Sequence, residues 1–268
     1  MMANPFLDPH AVTDLYCDPA RLSQRTSALR QAKLAGPEVA ETICDLLAGS
    51  IGANSRVIDV GCGRGSTTIN LAQRFRPHEL IALDASQAVL DVALQRFTAT
   101  GVEARTQLAD FHRMPFPSSS TDAVVAAFCL YHSPNPTKAI GEFVRILRPG
   151  AVAVLVTKSA DSYSELDRLV VESGLDEQAA RRPSLYESFH STNIAALASA
   201  HLNVTKVIHE RHLFRFHDFH HLAAYLTTTP KYCLNTSAEA VSARLRRWRP
   251  NHQVTASSTV SYLLGAAP

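Results

Sequence analysis

The stretch Arg56-Val57-Ile58-Asp59-Val60-Gly61-Cys62-Gly63-Arg64-Gly65-Ser66-Thr67 decides how the rest of the chain is read. Its first half is a β-branched apolar run bounded by turn residues, the pattern of a buried strand. Its second half is a glycine-rich turn leading into Thr67–Phe75, where apolar residues return at helical spacing. Strand, tight turn and helix make the first half of a nucleotide-type crossover. Glycines let backbone approach a ligand closely, and a helix start offers amides without intrahelical partners. A small, nucleoside-like ligand is expected here.

The loop reads Asp-x-Gly-x-Gly-x-Gly from Asp59 to Gly65. A dinucleotide fingerprint, Gly-x-Gly-x-x-Gly, would place its third glycine where Ser66 stands, which weakens a nicotinamide-dinucleotide reading. The next strand, Leu80–Asp84, ends in a carboxylate suited to both hydroxyls of a ribose, whichever nucleoside carries it. Further on, Thr106–Phe111 reads as a third strand ending in Asp110 and Phe111. There Asp110 could accept from an adenine amine while Phe111 packs on the ring. The Met114-Pro115-Phe116-Pro117 segment and a serine-rich turn lead to the strand Asp122–Phe128. After Cys129-Leu130-Tyr131-His132 come a helix, Thr137–Leu147, the turn Arg148-Pro149-Gly150 and a strand, Ala151–Thr157.

This order of landmarks resembles the class I S-adenosylmethionine-dependent methyltransferases, most closely the branch that modifies small molecules. The resemblance covers about residues 55 to 157 and implies S-adenosyl-L-methionine as cofactor. It implies an α/β, Rossmann-like fold with a seven-stranded, mostly parallel sheet and helices on both faces. Residues 1–50 would form an N-terminal helical lid segment, 51–157 the cofactor-binding core, and 158–268 the rest of the sheet with helical insertions, all in one domain. The insertions, 158–190 and 217–250, are expected to wall an acceptor pocket.

The resemblance also implies site residues. Asp59 would engage the cofactor's amino group, directly or through water, with Gly61, Cys62, Gly63 and Gly65 forming the loop beneath it. Asp84, followed by Ala85, would hold the ribose; Asp110 and Phe111 the adenine; Phe128 would complete the wall. Tyr16, Arg25 and Arg30 are candidates to close over the methionine end, the arginines alternatively being a solvated helix face. His132 follows the strand where the sheet opens toward the transferred methyl, as a general base or a group orienting an acceptor hydroxyl. Packing beside Pro134 and Pro136 is the competing reading for His132, and Tyr131 is a second candidate, more a wall than a catalyst.

Composition bounds the rest. The chain has 268 residues, 46% apolar and 19% charged, long enough for one sizeable core or at most two domains. A formal charge of +2 gives no global case for a polyanionic partner. Five cysteines without Cys-x-x-Cys spacing suggest reduced thiols, no zinc site and a cytoplasmic location. No basic-then-apolar leader and no bilayer-length apolar run are visible. Of twelve histidines, His209 and His212 fall on opposite faces of a predicted strand. His217 and His221 would share a helix face, but no acid or cysteine stands at a metal-ligand interval, so no metal is expected.

The segment Met1–Asp18 reads as irregular, and Asp18-Pro19 as a helix start. Asp176–Arg182 reads as a polar, mobile surface stretch. Ala238–Trp248 is a basic amphipathic helix, with Arg244, Arg246, Arg247 and Arg249 around Trp248. It reads as a solvated face with an anchoring tryptophan, or else as an RNA contact. The expected function is methyl transfer to oxygen, nitrogen or carbon of a small molecule, with natural-product biosynthesis suggested by insertions and composition. The alternatives are an RNA methyltransferase, which lacks an appended RNA-binding module here, and a non-catalytic cofactor-binding scaffold. Oligomeric state is not legible.

Overall fold

In the computed structural model, which describes residues 4–250 and 253–268, strand and helix alternate through the middle of the chain. The first elements are α1 (Pro9–Cys17), α2 (Pro19–Ala32), β1 (Lys33–Ala35), α3 (Val39–Leu47), β2 (Arg56–Val60) and α4 (Ser66–Phe75). Next come β3 (Glu79–Asp84), α5 (Gln87–Thr100), β4 (Arg105–Leu108), β5 (Thr121–Ala127), α6 (Pro136–Ile146) and β6 (Leu147–Lys158). The chain closes with α7 (Ser164–Glu172), α8 (Ile194–Ala198), β7 (Asn203–Phe216), α9 (Phe219–Leu226), α10 (Ala238–Trp248) and β8 (Val254–Ala266). Backbone contacts divide it into a larger unit, 37–158, 188–209 and 260–268, and a smaller one, 1–36, 159–187 and 210–259.

The sheet runs β1-β7-β8-β6-β5-β2-β3-β4. From β6 to β4 all neighbours are parallel, as crossovers through helices require, whereas β8 joins β6 antiparallel. The architecture is the expected α/β, Rossmann-like one, but the sheet has eight strands rather than seven. The addition is β1, paired antiparallel with Leu213 and Phe214. Gly36 follows it at φ +104, and a Cβ there would lie 2.8 Å from the His212 ring, so only glycine fits this turn.

The larger unit is organised around β2, whose Val57, Ile58 and Val60 are wholly buried. Ile43, Leu46 and Leu47 of α3 and Leu71 of α4 pack with Val57, Val125, Val154 and Tyr262. Cys62, Ile69, Ala82, Leu90, Ala93 and Phe97 form a second cluster. The Ser86 hydroxyl caps α5 as its sequence predicts, accepting from the Val89 amide. Val89, Leu90, Ala93 and Phe97 of that helix are buried, whereas Leu94 is 48% exposed.

In the smaller unit, Asp18 caps α2 as expected. Met1–Asp18 is not wholly irregular: α1 starts at Pro9 with Asp8 accepting from the amides of His10 and Ala11, the same acid-then-proline signal. The His221 ring donates from Nε2 to the Ala28 carbonyl at 2.8 Å, tying α9 to α2. Tyr163, Phe214, Phe216 and Tyr225 form an aromatic cluster with ring separations of 5.4 to 6.0 Å. The polar run at 176–182 is exposed at Glu177, Gln178, Ala180 and Arg181, as a surface stretch should be, but its two ends turn inward. Asp176 accepts from the Arg182 guanidinium and from the amides of Gln178 and Cys233, so its polarity is spent on a buried pair.

Candidate functional site

Parallel strands that end together leave their C-terminal tips open to ligands. Asp59 stands next to last in β2, 1% exposed, and accepts a 2.6 Å hydrogen bond from the Thr68 hydroxyl of α4. Burial pushes its carboxyl up to about 7, against the lowering effect of the Thr68 bonds. Asp84 closes β3, and its carboxylate accepts from the Gly63 amide (3.0 Å) and the Ser86 amide (3.1 Å). Burial raises Asp84 as well, opposed by those amides. The negative charge on Asp84 is itself felt at Asp59, so two of the expected acids share one locality.

The glycine loop between them divides by function. Gly61, Gly63 and Gly65 all have positive φ. A Cβ on Gly61 would sit 2.4 Å from the Cys129 Cβ, and one on Gly65 would sit 2.4 Å from the Phe97 ring. Those two glycines are demanded by protein packing. Gly63 differs, for nothing lies within 4 Å of the position its Cβ would take. That open space, bordered by acceptor groups, is where a ligand can approach the backbone. Cys62 is buried and its amide donates to Leu83 at 3.0 Å, fastening the loop to β3. Burial raises the thiols of Cys62 and Cys129, which removes both as nucleophiles near neutrality.

Asp110 is placed differently from its sequence reading. The strand β4 closes at Leu108, and Asp110 lies two residues beyond it in a turn. The Ala109 amide donates to the Asp84 carbonyl at 3.0 Å, the last rung of the ladder that pairs Asp84 with Leu108, and so holds the start of the turn beside β3. There Oδ1 of Asp110 accepts from the His112 amide and meets His112 Nδ1, both at 2.8 Å. Phe111 is half-buried, its ring 4.6 Å from that of His112.

Phe128 follows β5 at φ 59, a backbone conformation unusual for a bulky residue and often found at functional sites. Its amide donates to Val156, and the Lys158 ammonium lies 5.3 Å from its ring centroid. Tyr131 and His132 occupy a single 3-10 turn, Leu130–His132, with rings 4.9 Å apart; Tyr131 is buried and His132 half-buried. The Tyr131 carbonyl accepts from the Ser188 hydroxyl at 3.0 Å. Ala85 is exposed just after Asp84. Tyr16 lies half-buried on α1 and Arg25 and Arg30 lie on α2, all three in the smaller unit, whereas the other expected site residues belong to the larger one.

Several supporting side chains escaped the sequence reading. Thr68 and His112 carry no motif of their own. Arg145 donates to the carbonyls of Met114 and Phe116 and pairs with Glu142, which in turn accepts from the Met114 amide. The Met-Pro-Phe segment is therefore clamped from α6. Among the described residues no three His, Cys, Asp or Glu side chains gather as a metal ion would require. His217 and His221 stack at 5.1 Å. On α10, Arg244 donates to the Ser173 carbonyl, and Arg249 pairs with Glu172 and lies over Trp248. No helix of the described residues is long and apolar enough to cross a membrane.

Comparison with known proteins points the same way. Residues 57–150 match the family model described as a methyltransferase domain. A demethylmenaquinone methyltransferase of Lactiplantibacillus plantarum is 36% identical over 112 residues, 41% of this chain and 47% of that one. The chain thus spans about half the length of the curated relatives it matches. The solved structure of YcgJ from Bacillus subtilis superposes with a TM-score of 0.61 at 19% identity, over 85% of this chain and 97% of that one. Geranyl diphosphate C-methyltransferase from Streptomyces coelicolor A3(2) gives 0.53 at 18% identity, over 85% and 75% of the chains. That enzyme was crystallised with S-adenosyl-L-homocysteine.

Proposed function

We propose, from the match of residues 57–150 to the methyltransferase-domain model, that this protein moves the methyl group of S-adenosyl-L-methionine to a small-molecule acceptor. The observation that carries the reading is the pair of interacting carboxylates, Asp59 and Asp84, with the open Gly63 backbone bonded to Asp84. An ammonium, a ribose diol and an adenine amine are all donors, and Asp59, Asp84 and Asp110 supply acceptors of matching sign. When bound, the cofactor supplies an activated methyl on sulfonium, so the protein need not generate an electrophile.

This chain's residues would bind and align. Asp59 holds the amino group, its Thr68 bond fixing the rotamer. Asp84 accepts from the amides of Ser86, Gly63 and Ala85, and the acceptor capacity left on its two oxygens would take the ribose hydroxyls. Asp110 receives both of its bonds on Oδ1, which leaves Oδ2 for the adenine amine. Phe111 and Phe128 are the apolar walls that keep water from the reacting atoms. His132, with Tyr131 packed behind it, orients an acceptor hydroxyl or takes its proton where the chemistry demands one.

Calorimetric titration with S-adenosylhomocysteine and with NAD tests the assignment. Micromolar S-adenosylhomocysteine affinity with much weaker NAD affinity is expected; the reverse order would overturn it. Turnover against a panel of quinols, phenols and carboxylates then separates an enzyme from a scaffold. Salt-sensitive RNA retention would instead favour a nucleic-acid acceptor.

A further inference from the structure

We propose that His112 is a positioning residue that couples the adenine end of the site to the turn carrying His132; the inference rests on the cofactor reading above. His112 Nδ1 meets Asp110 Oδ1 at 2.8 Å, and its Nε2 meets the Ser133 hydroxyl at 2.8 Å. Ser133 directly follows Tyr131 and His132, and its own amide closes their 3-10 turn by donating to Leu130. The Ser133 oxygen also accepts from the Asn135 amide at 3.0 Å, and Asn135 caps α6. Two loops 21 residues apart in sequence are thereby joined by one imidazole.

The direction of the bonds follows from the groups. Asp110, when ionised, can only accept, so Nδ1 of a neutral His112 carries the proton. Nε2 is then an acceptor, and the Ser133 hydroxyl donates to it while accepting from Asn135. Amide, hydroxyl, imidazole and carboxylate form a chain polarised toward Asp110, each link strengthening the next. An aspartate, histidine and serine in this order suggest a nucleophilic triad, but Ser133 is 0% exposed and already accepts a backbone amide. The arrangement is a clasp. A ligand donor on Asp110 Oδ2 draws charge from Oδ1, alters the pull on His112, and so reaches the turn that presents His132.

The test uses S-adenosylhomocysteine and protein labelled at its histidine rings. In the native protein, ligand binding should move the ring resonances of both His112 and His132. Ser133→Ala keeps the His112–Asp110 bond; its affinity should stay within about twofold while the His132 shift falls by more than half. His112→Phe keeps an aromatic ring beside Phe111 but removes both bonds, and its affinity should fall about tenfold, as for one lost charge-assisted hydrogen bond. Thermal unfolding of each variant shows that the fold persists; if Ser133→Ala fails to fold, His112→Phe alone decides through the same two readouts. Native-like affinity and a native His132 shift in His112→Phe would overturn the coupling alone. Failure of the native protein to bind S-adenosylhomocysteine would overturn the cofactor reading, and this inference with it.

Discussion

The two ends of the candidate site are built by different means. At the tips of β2 and β3, Asp59 and Asp84 are held by core packing and main-chain amides, with Gly61 and Gly65 pressed against Cys129 and Phe97. Beyond β4, Asp110 has a side chain 66% exposed and takes its orientation from His112. The glycines of the first end cannot be altered without disturbing the fold. The second is made of side chains on a turn and can be changed almost independently of it. Stability and binding should therefore fall together where the loop is packed and separately beyond β4.

The severest challenge to this contrast is Gly65→Ala. It forces a side chain into φ +73 and against the buried Phe97 ring. A loss of about 2–4 kcal/mol in urea unfolding is expected from left-handed strain and overpacking. A loss below about 0.5 kcal/mol would show the loop to be looser than its packing implies. Asp84→Ala comes next, since it removes both the proposed ribose acceptor and the anchor of the Gly63 amide. S-adenosylhomocysteine should bind roughly 1–3 kcal/mol more weakly by calorimetry, and unchanged affinity would place the ribose elsewhere.

Asp59→Asn sharpens the comparison through pH. Burial raises the folded carboxyl to about 7, well above its unfolded value, so the folded state holds this proton more tightly. The contribution of Asp59 to stability is therefore fully present below the unfolded pKa and is lost as pH climbs toward about 7. Asparagine cannot ionise and can still accept from Thr68. The variant should match the native protein near pH 4 and exceed it at pH 8 by roughly 3–4 kcal/mol, while binding the cofactor less well. A pH-independent difference in unfolding midpoints would refute the assignment. The smallest effect belongs to Asp110→Asn: stability within about 0.5 kcal/mol of native, as for an exposed site, with a severalfold loss of affinity. A large drop in melting temperature would erase the distinction between the two ends.

The same contrast explains what could be read in advance. Strand and helix order from Arg56 to Thr157 followed from periodicity and from local caps such as Ser86, because those signals lie within a few residues of one another. Asp59, Asp84 and the three glycines stood in one recognisable spacing. Asp8-Pro9 carries the same capping signal as Asp18-Pro19, masked by the irregular residues around it. The clamp of Arg145 on Met114 and Phe116, the Asp176–Arg182 pair and the His112–Ser133 bond were not legible. Each depends on a polar side chain finding its partner through tertiary folding, and polarity alone reads as solvent exposure. The strand β1 was hidden for a similar reason, since three residues carry no period and are a strand only because Leu213 and Phe214 lie alongside.

Asp59 has one more consequence. Because burial raises its carboxyl well above the usual carboxylate range, the unliganded protein holds a proton at this position to higher pH than a free aspartate would. A ligand ammonium seated there selects the ionised form, so each arrival expels a fraction of a proton into solution. Association would acidify an unbuffered sample, and its measured heat would change with the ionisation enthalpy of the buffer. Such a protein registers its cofactor as a release of acid before any methyl group has moved.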